Sequence, residues 1–268
     1  SSTEGRIYRE LGDALSGMVE SFSFTSLAEK ILSTEGGAAV QTLSDAGRAV
    51  LVRRALEELQ DNVHYYHRHR RSAAFCQMAA QTIDELKSAG LSGRQLAQLA
   101  GACGAESSKL SELALIFQGY ETLLARSGMD PADRLELAGA RLEEALARHS
   151  LPEFLRDRAV FIDEFDTFNA PKKRLLGALL AALPSVTVAL CDDGAPLLPG
   201  DLSLFSGAKQ VAAQLRQLAR KNGAEVAVPQ LLRKDLRHRN TPGLAAVAEL
   251  LETGSCTADA PAGEVRLF

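Results

Sequence analysis

The segment that most constrains the fold is a short apolar run that ends in two adjacent carboxylates. Residues 159–162 read Ala-Val-Phe-Ile, and Asp163 and Glu164 follow directly. A continuous apolar run of this length is typical of a buried strand, here one in a parallel sheet. Open α/β sheets bind ligands at the carboxyl ends of their strands. Asp163 and Glu164 are therefore either a catalytic, magnesium-binding pair or a solvated acidic turn.

A second predicted strand, residues 186–190, also leads into an acid pair, Asp192 and Asp193. Strand–helix alternation continues to the end of the chain, which favours a doubly wound parallel sheet. Two neighbouring strands that each end in acids strengthen the case for a site at that edge. The other predicted elements of this region are helices over 172–183, 208–222 and 242–251 and strands over 225–228 and 264–268.

One expected feature of a nucleotide site is missing from the sequence. No GxxxxGK[ST] segment occurs, and this is the loop that cradles phosphates. Without that loop the carboxylates could hold magnesium only weakly and would have no γ-phosphate to act on. The 5 histidines support no Ser/His/Asp nucleophile.

Composition narrows the class of protein. The chain has 268 residues, 46% of them hydrophobic, as in an ordinary globular chain that is long enough for two domains. Because the formal charge is −4, any nucleic-acid contact must come from local basic clusters. The 4 cysteines lack CxxC or Cys/His spacing, which favours reduced cytoplasmic thiols over a zinc site, an iron–sulfur cluster or disulfides. The most apolar stretch, residues 175–191, is broken by Pro184 and predicts no membrane span.

The first part of the chain divides into two patterns. Residues 18–24 alternate like a strand, and Thr25 or Ser26 could cap a helix over 27–32. From about residue 43 to 156 the pattern is helical only. The predicted organisation is residues 1–40 as the first part of an α/β domain, 41–156 as an all-helical insertion, and 157–268 as the remainder of that domain and the start of the next segment.

Cap residues precede two of the helices predicted within the insertion. Ser44 is expected to cap one helix, and Asp130 another whose first turn begins at Pro131. Other helices are predicted over 73–89, 92–99 and 107–127. The expected apolar face of the helix after Ser44 consists of Val50, Leu51, Ala55, Leu56 and Leu59.

Residues 64–71 read His-Tyr-Tyr-His-Arg-His-Arg-Arg and combine rings with positive charge. Three interpretations stay open for this segment. It is a solvated helix end, a surface that holds a nucleic-acid backbone by stacking and charge, or a metal site built on the histidine spacing.

Five segments in this order resemble motifs of the superfamily-1, UvrD-like helicases. Residues 23–32 resemble the TFHxLAxxLL element, and residues 129–135 the DFxxL segment that ends the helical insertion. Residues 162–169 are similar to the VDEFQDTN Walker B motif. Residues 190–196 and 236–240 stand where VGDxxQSIY and LxxNYRS are expected. The resemblance implies a P-loop NTPase-like (RecA-like) parallel sheet that lacks its P-loop strand and carries a large all-α insertion.

The departures from these motifs indicate a degenerate motor. Asp166 replaces the glutamine of the Walker B motif, and residues 194–196 lack the glutamine that senses phosphate. An acid in place of an amide beside a triphosphate repels it. Degenerate modules of this kind resemble the B subunit of AddAB-type helicase–nucleases. The resemblance then implies an N-terminal, helicase-like piece, with the phosphate loop upstream and the second motor and nuclease domains absent.

The resemblance also implies roles for particular residues. Asp163 and Glu164 would be the catalytic, Walker B-like pair, with Asp163 as the metal ligand. Arg239 and Asp192 would contact nucleotide. Ser23, Thr25 and Ser26 would bind single-stranded DNA from a helix N-terminus. Phe22 or Phe24 could stack on a base, although core positions fit them better, and Lys172 begins a helix near the nucleotide edge.

The implied setting is the unwinding and degradation of double-strand DNA ends during repair by homologous recombination in the cytoplasm. The partners would be an AddA-type helicase–nuclease subunit and single- and double-stranded DNA ends. ATP and Mg²⁺ would act in the full-length protein, with none expected on this fragment, which is predicted to be inactive by itself. Two alternatives are an active ATP-dependent helicase and an architectural module that binds a partner subunit.

Overall fold

The structure is a computed structural model that describes residues 9–12, 17–102, 107–232 and 242–255. These residues form a mainly helical chain with one small sheet. The first helices are α1 (Phe24–Glu35), α2 (Asp45–Glu58), α3 (Ala73–Ser88), α4 (Gly93–Ala100), α5 (Ser107–Ser127) and α6 (Pro131–Ala147). The remaining elements are β1 (Ala159–Ile162), α7 (Ala170–Ala182), β2 (Ser185–Val188), α8 (Ser206–Lys221) and α9 (Pro242–Thr253), with 3-10 turns at His67–His69 and Glu153–Leu155.

The sheet consists of β1 and β2, which run parallel and are joined by α7. Ala159 pairs with Ser185 and Ile162 with Val188. The Ala189 N–H then donates to the Ile162 carbonyl at 2.9 Å. The α/β class with a parallel sheet and a large helical part is therefore confirmed, whereas the RecA-like sheet stays a prediction.

Two predicted strands are wrong. Residues 18–24 do not pair, because Ser23 has an extended backbone and caps a helix that already begins at Phe24. Residues 225–228 are also irregular, and Val228 is 87% exposed. Alternation of side chains produces a strand only where a neighbour supplies the hydrogen bonds, and in the described chain β1 and β2 pair only with each other. The predicted strand over 264–268 lies outside the described residues.

The sheet packs on a first hydrophobic cluster, here called the sheet cluster. In it α7 lies against the sheet and α6, and α6 also packs against α1. Leu175, Leu176 and Leu179 of α7 are at most 1% exposed, and each contributes about 1.5–3 kcal/mol relative to an exposed position. The other buried members are Phe24, Ala28, Ile31, Leu32, Ala138, Leu142, Leu155, Ile162, Phe168, Ala178 and Leu183.

A second cluster, here called the helical cluster, is formed by α2, α3, α4 and α5. Ser44 caps α2 as predicted, since its side chain accepts from the Gly47 N–H. The predicted face is correct for Ala55 and Leu56 but wrong for Val50, which is 63% exposed. The buried members are Val52, Leu56, Val63, Cys76, Ala79, Ala80, Ile83, Leu96, Ala114, Ile116, Phe117, Tyr120 and Leu124.

A buried polar network joins α3 and α5 of the helical cluster to the start of α6. The Lys87 amino group lies 2.6 Å from a carboxylate oxygen of both Asp130 and Asp133. The Tyr120 hydroxyl donates to Asp130 at 2.9 Å. Asp130 stands at the cap position of α6, as predicted, but its side chain makes no capping bond. Its two partners come from α3 and α5, so the carboxylate connects these helices to α6 instead of capping it.

Gly90 brings the end of α3 against the start of α7. Its φ of +83° is left-handed, which glycine adopts without strain. A Cβ atom at Gly90 would lie 3.0 Å from the Ala170 Cβ. The helical cluster is thereby held close to the loop that follows β1.

Candidate functional site

Three phenylalanine rings join the N-terminus of α1 to the loop after β1. The Phe24 centroid lies 5.0 Å from that of Phe165 and 6.0 Å from that of Phe168, both nearly edge-to-face. The Lys172 amino group stands 5.6 Å from the Phe24 centroid and 5.2 Å from that of Phe165. Phe24 is 8% exposed and belongs to the core. The positively charged Lys172 side chain therefore lies where the N-terminus of α1 meets the loop after β1, the two segments that carry predicted site residues.

The N-terminus of α1 is capped by two of the residues that are predicted to touch DNA. The Ser23 side chain accepts from the Ser26 N–H at 3.1 Å, and the Ser26 side chain accepts from the Ser23 N–H at 2.8 Å. This reciprocal arrangement corrects the prediction that Thr25 or Ser26 is the cap. Thr25 is exposed between them. The hydroxyls of Ser23 and Ser26 are committed to the helix, and Thr25 presents its own outward.

Asp163 and Glu164 follow the carboxyl end of β1 and are both exposed. Asp163 accepts a hydrogen bond from the Glu164 N–H at 2.9 Å. Glu164 has a φ of +64°, a left-handed conformation that costs a residue with a side chain free energy. The pair therefore lies at the strand end where it was predicted, in a sharply turned backbone.

The acid pair after β2 is engaged within its own loop. Asp192 accepts from the Gly194 N–H at 3.1 Å, and Asp193 accepts from the Ala195 N–H at 2.8 Å. The Lys209 amino group of α8 lies 3.0 Å from Asp193. These backbone and lysine contacts lower the pKa of Asp193. The charge of Asp193 is thus neutralised by a side chain that is 5% exposed, and Asp192 keeps an exposed carboxylate.

Two features of the site have no signal in the sequence, namely Lys209 and the ring contacts of Phe165. Lys209 is the fourth residue of α8, and its amino group lies between the carboxylates of Asp193 and Asp201 from the segment before that helix. Phe165 stands at an unremarkable position of the Walker B-like segment. Arg239 lies outside the described residues. Within the described ranges no group of three or more His, Cys, Asp or Glu side chains is placed to hold a metal ion.

The chain matches the family described as ADDB, N-terminal, over residues 2–248. The chain belongs to this family. It is 34% identical over 244 residues to the B subunit of the ATP-dependent helicase/deoxyribonuclease of Desulforudis audaxviator, covering 88% of this chain and 20% of that protein. It is 30% identical to the B subunit of the same name from Symbiobacterium thermophilum, covering 85% of this chain and 20% of the relative.

A third relative of the same name, from Moorella thermoacetica, is 31% identical over 89% of this chain. The chain thus spans about a fifth of the length of the relatives that it matches. The predicted resemblance to a B subunit of this class is confirmed. Among the described residues no helix has the length and apolar character needed to cross a membrane.

Proposed function

We propose that this chain is the helicase-like region of a helicase–nuclease subunit that binds single-stranded DNA beside a degenerate nucleotide cleft. The observation that carries the proposal is the contact of the α1 N-terminus with the loop after β1, under the Lys172 amino group. The first N–H groups of a helix have no carbonyl partner within the helix and attract anions, although here the Ser26 N–H already donates to the Ser23 side chain. A phosphate at Thr25 would meet these groups, the Thr25 hydroxyl and the Lys172 charge.

The degenerate cleft follows from the donors that the chain supplies. Magnesium sites need several oxygen ligands, often together with substrate phosphates. Asp163 offers one carboxylate, whereas Asp193 is neutralised by Lys209. Asp166 adds an exposed acid to the same loop. In this proposal ATP and Mg²⁺ act in the longer protein, where Asp163 would be the magnesium ligand and Arg239 and Asp192 would face the nucleotide.

The proposed setting is repair of double-strand breaks by homologous recombination, together with a helicase–nuclease partner subunit of the AddA type. The relatives are named subunits of an ATP-dependent helicase/deoxyribonuclease, which supports a multi-subunit enzyme. This chain by itself is proposed to be catalytically inactive, because it lacks a phosphate loop.

A Thr25→Val, Lys172→Gln double variant of the intact protein tests the DNA site. We expect single-strand affinity at low salt to fall about tenfold, since a hydrogen bond and a charge at one phosphate are lost. Lys221→Gln is the control, because Lys221 is an exposed lysine at the far end of α8. Fluorescence anisotropy with oligothymidylate measures both. Equal affinities for the double variant and the control would refute the site.

Glu164→Gln tests the degenerate cleft separately. If Glu164 no longer positions an attacking water, the intact protein should hydrolyse ATP at an unchanged rate after this substitution. A collapse of hydrolysis would instead assign an active motor to this region. Steady-state phosphate release with and without DNA distinguishes the two results.

A further inference from the structure

The segment from 64 to 71, here called the basic loop, forms a positively charged surface away from the site described above. It belongs to the helical cluster, not the sheet cluster. Its three arginines and three histidines stand in a run without acids from residue 62 to residue 83, within a chain of net charge −4. Arg68 and Arg71 are exposed. The basic loop is therefore positively charged, although the chain as a whole is negatively charged.

A buried glutamate of α5 fixes the backbone of the basic loop. Glu112 is 8% exposed. It accepts from the N–H of His64 at 2.9 Å, of Tyr65 at 2.8 Å and of Tyr66 at 3.1 Å. Burial opposes ionisation, but these three bonds outweigh it and lower the pKa of Glu112. An ordered loop loses less conformational entropy on binding than a flexible one.

Ring contacts hold the side chains of the loop in place. Tyr66 lies 5.3 Å from Phe75, and the His69 ring stacks on Phe75 at 5.6 Å. Tyr65 stays 51% exposed, with the Lys109 amino group 5.3 Å from its centroid. The surface thus offers an exposed ring beside the Lys109 amino group and the arginines of the loop, the combination that single-stranded nucleic acids bind by stacking and charge.

Two arginines open into a cleft next to these rings. Arg70 and Arg71 line a cleft of about 180 Å³ together with Glu57 and Gln60. The carboxylate of Glu57 is already paired with the Arg53 guanidinium at 3.0 Å. Helix α3 begins at Ala73, and its cap Ser72 is adjacent to Arg71, so the helix dipole adds partial positive charge near the cleft.

We propose that the basic loop is a second nucleic-acid contact, which binds the phosphodiester backbone of a DNA strand without reading its sequence. Arginine forks pair with phosphate oxygens in a bidentate manner, and Tyr65 is placed to stack on a base. An acidic protein partner could bind the positive charge of the loop, but it would not explain why the Tyr65 ring is exposed beside Lys109. This inference rests on the proposed function only in assuming that the protein binds DNA. The basic loop belongs to the helical cluster, whereas the Thr25 and Lys172 site belongs to the sheet cluster.

The test uses the intact protein with an Arg68→Gln, Arg71→Gln variant. Arg94→Gln, Arg126→Gln is the matched control, because it removes two exposed arginines of the same helical cluster region outside the loop. The probes are a fluorescent oligothymidylate and a duplex of equal length, each titrated across a range of salt. Circular dichroism checks that both variants are folded.

We expect the loop variant to lose about five- to tenfold affinity at low salt, with a salt slope shallower by about 1.4 for single strands or about 1.8 for duplex. Loss with either probe supports the proposal and identifies the strand type. No loss with both probes, or an equal loss in the control, overturns it. Weaker binding of a partner subunit with unchanged DNA affinity also overturns it. If the proposed function is wrong but this inference is right, the Thr25→Val, Lys172→Gln variant keeps full DNA affinity while the Arg68→Gln, Arg71→Gln variant loses it.

Discussion

At the residue scale, Asp130 decides how α6 is attached to the rest of the molecule. The carboxylate is 1% exposed, and Lys87 at 2.6 Å is its counter-charge. We expect Lys87→Met to lower the free energy of unfolding by about 3–5 kcal/mol, because a buried charge is left without its partner. Urea denaturation measures this loss. A change below about 1 kcal/mol would show that Asp130 does not depend on the lysine.

Exposed ion pairs supply the control for this prediction. Arg54→Met removes a cation that pairs with Glu58 on the surface of α2 at 3.0 Å, with both side chains more than half exposed. We expect a change of at most about 0.5 kcal/mol there, since surface pairs of this kind are weak. Similar effects of the two substitutions would contradict the role given to the buried network.

Glu112 gives a pH-dependent prediction at the same scale. Its lowered pKa means that its ionised form stabilises the fold above the ordinary pKa of a glutamate, and that this stabilisation is lost as the pH falls through the lowered value. Glu112→Gln should therefore cost about 1–3 kcal/mol near neutral pH. The difference from the parent protein should shrink as the pH falls below the ordinary glutamate pKa of about 4.3. Denaturation midpoints at neutral pH and across this acidic range test this, and a pH-independent difference would contradict it.

At the element scale, the approach of α3 to α7 depends on Gly90. Gly90→Ala would strain a left-handed residue and drive a Cβ to 3.0 Å from Ala170. Gly223→Ala is the matched control, because Gly223 also follows a helix end, has a φ of +76° and meets open space. We expect about 1 kcal/mol of destabilisation from the control and about 2–3 kcal/mol from Gly90→Ala. Equal thermal shifts would refute the close packing.

At the scale of the whole molecule, the sheet presents two unlike faces. Ile162 is 8% exposed against the sheet cluster, whereas Phe161 beside it is 76% exposed. Parallel sheets are usually covered on both faces, and exposed apolar patches promote association. We expect Phe161→Thr to change the free energy of unfolding by at most about 0.5 kcal/mol and to reduce self-association of the chain. Sedimentation velocity and urea denaturation measure the two quantities.

Ile162→Thr is the comparison for the buried face. It should cost about 2–4 kcal/mol, because it buries a hydroxyl and removes apolar contacts in the core. A large loss of stability from Phe161→Thr would mean that this face is packed in solution.

The helices and the first strand could be predicted because their signals lie within a few residues. The Ser44 cap reaches three residues along the chain, and the apolar run of β1 stands next to its acids. The strand predicted over residues 18–24 failed for the opposite reason. Apolar and polar side chains do alternate in this segment, but a strand also requires a hydrogen-bonding neighbour. The reciprocal cap formed by Ser23 and Ser26 instead begins a helix at Phe24.

The sequence by itself determined the main helices, the parallel pair of strands β1 and β2, the acids that follow these strands and the family resemblance. Only the tertiary structure decided which charged side chains pair with one another inside the protein. Lys209 neutralises Asp193 from 16 residues away, and Lys87 reaches Asp130 over 43 residues. Local patterns report the backbone conformation of neighbouring residues, whereas burial and charge pairing depend on which distant elements come into contact. The location of the candidate site could therefore be predicted from the sequence, whereas the charge state of its side chains depends on the tertiary fold.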